Sequence, residues 1–275
     1  MRYRLRLFFT FIVLLTINNL SIAAPKRIVS INLCTDQLLL MLSPREHIQS
    51  LSHLAVDPEY SFMWEEAKGL PLNDGLVEQI IPLEPDLILA GKHSSTEASN
   101  MLKQLGYPVK VLPLPQSLNE VGRFILKMGE LLEQENKAAQ LLATMNARIS
   151  AVQQLKQHQA KKLAVIYAPN GFTAGSKTFK HELLTYAGYR NLAAEAGIDY
   201  YGNLSVEQVL SSQPDLMIID DSTRNQDSLA QSYTNHPALK RLMGETGVIK
   251  LPVNQWLCGG PMAADAIETL AHVKQ

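Results

Sequence analysis

Apolar residues along this chain fall into two textures. In one, short continuous runs such as Arg27-Ile-Val-Ser-Ile, Leu87-Ile-Leu-Ala, Lys162-Leu-Ala-Val-Ile-Tyr and Leu216-Met-Ile-Ile predict strands buried on both faces of a parallel sheet. In the other, apolar positions return every three or four residues, as from Gln37 onward, around Met101 and Leu105, over 179–187 and over 262–273. That spacing predicts helices laying one face on a core. Strand and helix alternate, so the expected class is α/β.

One arrangement occurs twice. LVEQIIPLEPDLILAG at 76–91 and SVEQVLSSQPDLMIID at 205–220 share Val-Glu-Gln, a following aliphatic (Ile80, Val209) and a Pro-Asp-Leu at the same distance, beginning at Pro85 and Pro214. Val77, Ile80 and Ile81 recur with helical spacing, as do Val206, Val209 and Leu210. Proline then stops each helix and a buried strand follows. The copies stand much farther apart than the roughly 20–50 residues of a solenoid repeat, so the chain reads as two similar lobes. Between them, 117–156 carries almost no glycine or proline and predicts a stiff helical connector. The part from Leu131 to Lys156 would run about 40 Å as one helix. The expected division is a leader over 1–23, an N-terminal lobe over 24–115, a helical backbone over 116–160 and a C-terminal lobe over 161–275.

The leader carries Arg2, Arg4 and Arg6, an apolar run from Leu7 to about Ile17, and then small residues, as in a secretory signal. The run is shorter than the roughly 20 residues of a membrane span. Ser21 and Ala23 suit a cut before Ala24, and no cysteine lies near it for lipid attachment. The expectation is a soluble exported protein. Formal net charge is −1 and becomes more negative without the leader, which is no nucleic-acid signature.

Composition leaves two cysteines to explain. Cys34 follows the first strand, in a junction where Thr35 or Asp36 can cap the next helix; Cys258 lies in the last loop, 253–261. Strand-to-helix junctions of a parallel sheet sit at its carboxyl edge, where ligands bind. Three readings stay open: a disulfide across a cleft, ligation of a soft metal by thiolate and imidazole (Cys34, Cys258 and His93), or two independent thiols.

The leader, the RIVSIN opening, both VEQ…PDL units, the YAPNGFTAG loop and the helical connector together resemble the periplasmic substrate-binding proteins of the iron-siderophore and cobalamin uptake family. The resemblance covers essentially the whole mature chain. It implies two similar three-layer α/β lobes with mainly parallel sheets, joined by a long rigid helix, and a monomeric receptor in the periplasm. Such a receptor binds a small-molecule metal chelate, iron-siderophore-like, haem-like or corrinoid, and delivers it to an ABC permease dimer in the inner membrane. It has no cofactor of its own; iron or cobalt travels in the cargo. It also implies that Glu78 and Glu207, at matching places in the two copies, dock on the permease. The other reading of each is a carboxylate complementing a helix dipole.

The same resemblance puts the cleft at the strand-end loops, with Cys34, His53, His93, Tyr167, Asn170, Tyr201, Trp256 and Cys258 as candidate lining. Trp256 reads either as a stacking wall or as hinge packing. The chain departs from a corrin binder in having only Trp64 and Trp256, and from a receptor for anionic siderophores in offering only Lys92 and Lys177 as evident cations. A free-metal receptor on the same scaffold is the alternative. An exported cysteine-dependent enzyme is the rival class, and no G-x-S-x-G, H-E-x-x-H, P-loop or G-x-G-x-x-G supports it or a phosphate site.

Overall fold

The computed structural model describes residues 24–92, 94, 96–219 and 236–273. The leader and His93 lie outside them. The first sheet is formed by β1 (Ile28–Ser30), β2 (Ile48–Ser52), β3 (Leu72–Asn73), β4 (Leu87–Gly91) and β5 (Val109–Leu112), in the order β3-β2-β1-β4-β5 with every pairing parallel. The second contains β6 (Lys162–Tyr167), β8 (Tyr189–Asn191), β10 (Leu216–Ile219) and β11 (Gly247–Ile249), ordered β11-β10-β6-β8 and also parallel. Two short strands that the sequence pattern does not announce, β7 (Phe172–Ala174) and β9 (Tyr201–Asn203), pair antiparallel as a flap after β6. In sequence the stretch 168–176 reads as loop, because three-residue strands are too short to display a period.

The continuous apolar runs are explained by two-sided burial. Ile28, Leu87, Leu89, Ala164, Ile166, Leu216 and Ile218 enter one core that extends through the connector residues Val121, Ile125, Met145 and Ile149. Their strand neighbours point the other way. Val29, Ile88 and Ala90 meet Ile80 and Leu102 in an outer cluster, while Leu163, Val165, Tyr167 and Met217 meet Val206, Val209 and Leu239 in its counterpart. Each sheet is thus sandwiched, and the shared middle layer makes the connector part of the core.

That connector is a helical hairpin rather than one rod. Helix α5 (Leu118–Leu131), capped by the Ser117 hydroxyl, ends at Leu132, and the long helix α6 (Glu135–Lys156) runs back along it. Glu133 makes the turn in the left-handed region (φ 52°). A Cβ at Gly129 would stand 2.4 Å from Ala138 Cβ, so the two helices approach at a contact only glycine permits. Arg148 on α6 forks onto two carboxylates of the last helix, α12 (Ala263–Ala271): Nη2 lies 2.9 Å from Asp265 Oδ1 and 2.6 Å from Glu268 Oε2. No helix among the described residues is long and apolar enough to cross a membrane.

Candidate functional site

The segment that follows the carboxyl end of β1 in the first sheet is joined to the one that follows β11 in the second. After β1, Asn32 caps α1 (Leu33–Leu42), its Oδ1 accepting from Cys34 N at 3.0 Å and Thr35 N at 3.3 Å. The cap therefore lies earlier than Thr35 or Asp36, and Cys34 sits in the first helical turn instead of a loop. Asn32 Nδ2 donates to Ser94 Oγ at 2.8 Å, and a Cβ on Gly91 would come within 2.6 Å of that amide nitrogen, which explains the glycine at the end of β4.

Cys34 is bonded to Cys258. Their α-carbons are 5.3 Å apart, and the bond joins the start of α1 to the segment between α11 (Val253–Trp256) and α12. Of the three readings of the cysteines, the structure holds the disulfide, so the two sulfurs are spent on each other and offer no thiolate. Four residues before Cys258, Asn254 Nδ2 donates to Pro58 O at 3.0 Å, a second contact between the same distant parts of the chain. A small pocket of about 140 Å³ opens beside the bond, lined by Asn32, Cys34, Lys92, Ser94, Leu114 and Phe124 among others.

Under this floor lies a buried polar layer. Asp36 is fully buried and accepts from the Ser52 hydroxyl and, at 3.3 Å, from Ser52 N. Burial pushes its pKa up to about 7 against the pull of the Ser30 and Ser52 hydrogen bonds. Asn73 ties three strands together, donating to Ser30 O at 3.1 Å, Ser50 Oγ at 2.8 Å and Leu51 O at 2.9 Å.

The remaining candidates separate into exposed and buried groups. His53 is more than half exposed at the end of β2, its Nδ1 3.3 Å from Asp74 Oδ1. Asn170 is exposed in the left-handed region, and its carbonyl accepts from Asn203 Nδ2 at 2.9 Å. Tyr201 is 50% exposed and stacks on Phe172, 43% exposed, with ring centroids 5.5 Å apart and planes within 7°. Tyr167 and Trp256, by contrast, are core residues. Tyr167 falls on the outer face of β6 with Leu163 and Val165; Trp256 is 3% exposed beneath Lys180 Nζ, 4.1 Å from the ring centroid. Strand alternation carried the signal for Tyr167. Phe172 and Tyr200 were missed, and both stand exposed on or beside the flap. Lys177, one of the two cations seen in sequence, is paired with Asp199 at 2.7 Å, while Lys92 lines the pocket beside Cys34. Among the described residues no group of three His, Cys, Asp or Glu is arranged to hold a metal ion.

Glu78 and Glu207 are exposed on α3 (Val77–Ile80) and α9 (Val206–Ser212). The glutamine beside each does the local structural work. Gln79 Oε1 accepts from Asp74 N at 2.7 Å, and Gln208 Oε1 accepts from Ser205 N at 2.8 Å in a capping box. The Glu207 carboxyl is held below its ordinary pKa by its own backbone N–H and the Ser205 hydroxyl.

A family model described as periplasmic binding protein matches residues 28–243, most of the chain and parts of both sheets. The chain belongs to the periplasmic binding protein family. It is 25% identical over 209 residues to an uncharacterized ABC transporter substrate-binding lipoprotein of Bacillus subtilis, YvrC, covering 73% of this chain and 65% of that one. It is 26% identical to a cobalamin-binding protein of Halobacterium salinarum over 76% of this chain and 57% of the relative. The match thus spans less than two thirds of the length of these curated relatives. Its fold is that of the apo periplasmic heme-binding protein RhuT from Roseiflexus sp. RS-1, with a TM-score of 0.71, 22% identity and coverage of 90% of this chain and 96% of that one.

Proposed function

We propose that this periplasmic binding protein is the substrate-binding component of an ABC importer, holding a metal chelate between its two lobes and handing it to a permease without chemical change. The observation that carries this is the joining of segments beyond the carboxyl ends of β1 and β11, one from each sheet, by Cys34–Cys258, with Asn254 to Pro58 beside it. Open α/β sheets bind ligands at that edge. An exposed aromatic pair, Phe172 and Tyr201, follows β6 in one lobe, and Lys92, Asn32 and Ser94 line the pocket beside Cys34 in the other. Such a lining suits an organic chelate with a flat or aromatic surface and modest negative charge. The names of the relatives, cobalamin-binding and heme-binding, are compatible with a cargo that carries cobalt or iron. The protein works in the periplasm as a monomer. On this reading the ligand leaves as it came, and the joined cysteines offer no free thiol to a cysteine-dependent reaction.

Glu78 and Glu207 dock the receptor. Two exposed carboxylates, at equivalent places in two similar lobes, can engage two related permease subunits at once, which fixes orientation and multiplies weak contacts.

The test is native mass spectrometry with an absorbance spectrum on protein purified from periplasm, followed by titration with haemin, cyanocobalamin and ferrichrome. A stoichiometric iron- or cobalt-containing adduct, or saturable 1:1 binding of one probe, supports the receptor. Conversion of a bound compound to a product without any permease would overturn it.

A further inference from the structure

The Cys34–Cys258 bond is the structural feature that the receptor reading leaves unused, and its position gives it a mechanical consequence. A two-lobe receptor whose lobes are connected at one place can rotate about any axis through that place. Here the α5–α6 hairpin packs in a core shared by both sheets, the Asn254–Pro58 hydrogen bond adds a weak direct tie, and the disulfide adds a covalent one. Of these ties only the disulfide is a covalent cross-link.

Packing tightens this further. The loop that carries Cys258 is pressed on the start of the connector, since a Cβ on Gly259 would lie 2.7 Å from Pro115 Cβ and 3.0 Å from Val121 Cγ2. The connector in turn is hydrogen-bonded to the C-terminal lobe, Leu118 N donating to Glu182 Oε2 at 2.5 Å. At its other end the bond is anchored in α1, whose cap Asn32 is tied to Ser94. Cys258 is 2% exposed, whereas Cys34 is half-buried and forms part of the pocket wall. The bond therefore stands at the wall of that pocket.

We propose that Cys34 and Cys258 are specificity-determining positioning residues: their bond fixes the spacing of the two lobes, so that the cleft selects its ligand by a set gauge instead of closing around it. The receptor reading is needed only to say what the cleft contains. The gauge itself is a property of the protein alone.

The experiment places spin labels, through ketone-bearing unnatural residues, at exposed Lys103 and Lys240 on the outer helices of the two lobes and reads the distance distribution without ligand. It compares the oxidised protein with the Cys34→Ser/Cys258→Ser variant and with native protein reduced by a phosphine, far-UV circular dichroism being recorded on each. The expected result is one narrow distribution when oxidised, and at least a twofold broadening or a shift of several ångströms, roughly a lobe rotation of hinge type, when the bond is absent and the fold intact. An unchanged distribution in the folded variant or the folded reduced protein overturns the proposal. Loss of the circular dichroism signal in both also overturns it, because the bond would then serve folding and not spacing. Failure of every chelate to bind leaves this measurement untouched, so the two ideas fail separately.

Discussion

Asp86 and Asp215 perform the same task at the foot of the leading strand of each lobe. The Asp86 carboxylate accepts from Lys26 N at 2.8 Å and Arg27 N at 3.0 Å, while its own N–H donates to Arg27 O at 3.0 Å. Asp215 Oδ2 accepts from Leu163 N at 2.7 Å, and its N–H donates to Leu163 O at 2.8 Å. Glu84 and Gln213, just before the two prolines, take the left-handed conformation at φ 43° and 45°. The repeated Pro-Asp-Leu is thus a clasp that ends a helix, turns the chain and holds the next strand to its neighbour. Asp86→Ala and Asp215→Ala are each expected to lower stability by about 1–2 kcal/mol, the scale of a hydrogen bond to a charged group. Urea unfolding checks this; a loss in one lobe only would mean that the two clasps are not equivalent.

Much of this was legible because it is local. Continuous apolar runs and the two VEQ…PDL units follow from strand and helix periods, and they yielded both sheets. What stayed hidden depends on contacts between distant segments. Asp36 looks like a helix cap until Ser52 arrives from the next strand to bury it. Trp256 looks like a cleft aromatic until Lys180 and the core cover it. The cysteine pairing joins positions 224 residues apart, which no local pattern encodes. The break between α5 and α6 falls at Glu133, with neither glycine nor proline to announce it.

Docking by Glu78 and Glu207 separates transport from binding. Neither carboxylate supports the fold as its neighbouring glutamine does, so Glu78→Ala with Glu207→Ala is expected to leave probe affinity within about twofold while uptake in cells falls at least about tenfold. Each single variant should show an intermediate loss. Reduced affinity with normal uptake would reverse the assignment.

The aromatic flap has the opposite signature. Phe172 and Tyr201 are half exposed and contribute little to the core, so Phe172→Ala and Tyr201→Ala should leave the unfolding midpoint unchanged. Each is expected to weaken a flat bound probe by roughly three- to tenfold, the worth of one aromatic contact. Calorimetric titration of the probe that binds wild type decides; unchanged affinity in both variants would move the ligand off this wall.

Arg148 joins the connector to the last helix through two forked carboxylate contacts, which keep the Glu268 pKa below its ordinary value. The three side chains are about one third exposed, so solvent screening limits the gain. Arg148→Ala should cost about 1–2 kcal/mol, and Arg148→Lys should recover only part of it because an ammonium cannot fork. Full recovery by lysine, read from denaturant midpoints, would show that charge alone matters there.

Asp36 gives the chain a pH dependence whose sign can be worked out. Its ordinary pKa is 3.8, and burial raises the folded value to about 7. Between those limits the unfolded chain has released a proton that the folded chain keeps. The folded state binds more protons there, so stability falls as pH rises. The contribution is fully present below about pH 4 and is lost as pH passes through the folded pKa near 7, on the order of a few kcal/mol in all. Asp36→Asn mimics the protonated acid, since an amide can accept from Ser52 N and donate to Ser52 Oγ. It should match wild type near pH 4 and exceed it in stability near pH 8, as read by urea unfolding at both. If the two proteins lose stability in parallel between those pH values, Asp36 is not the group that titrates.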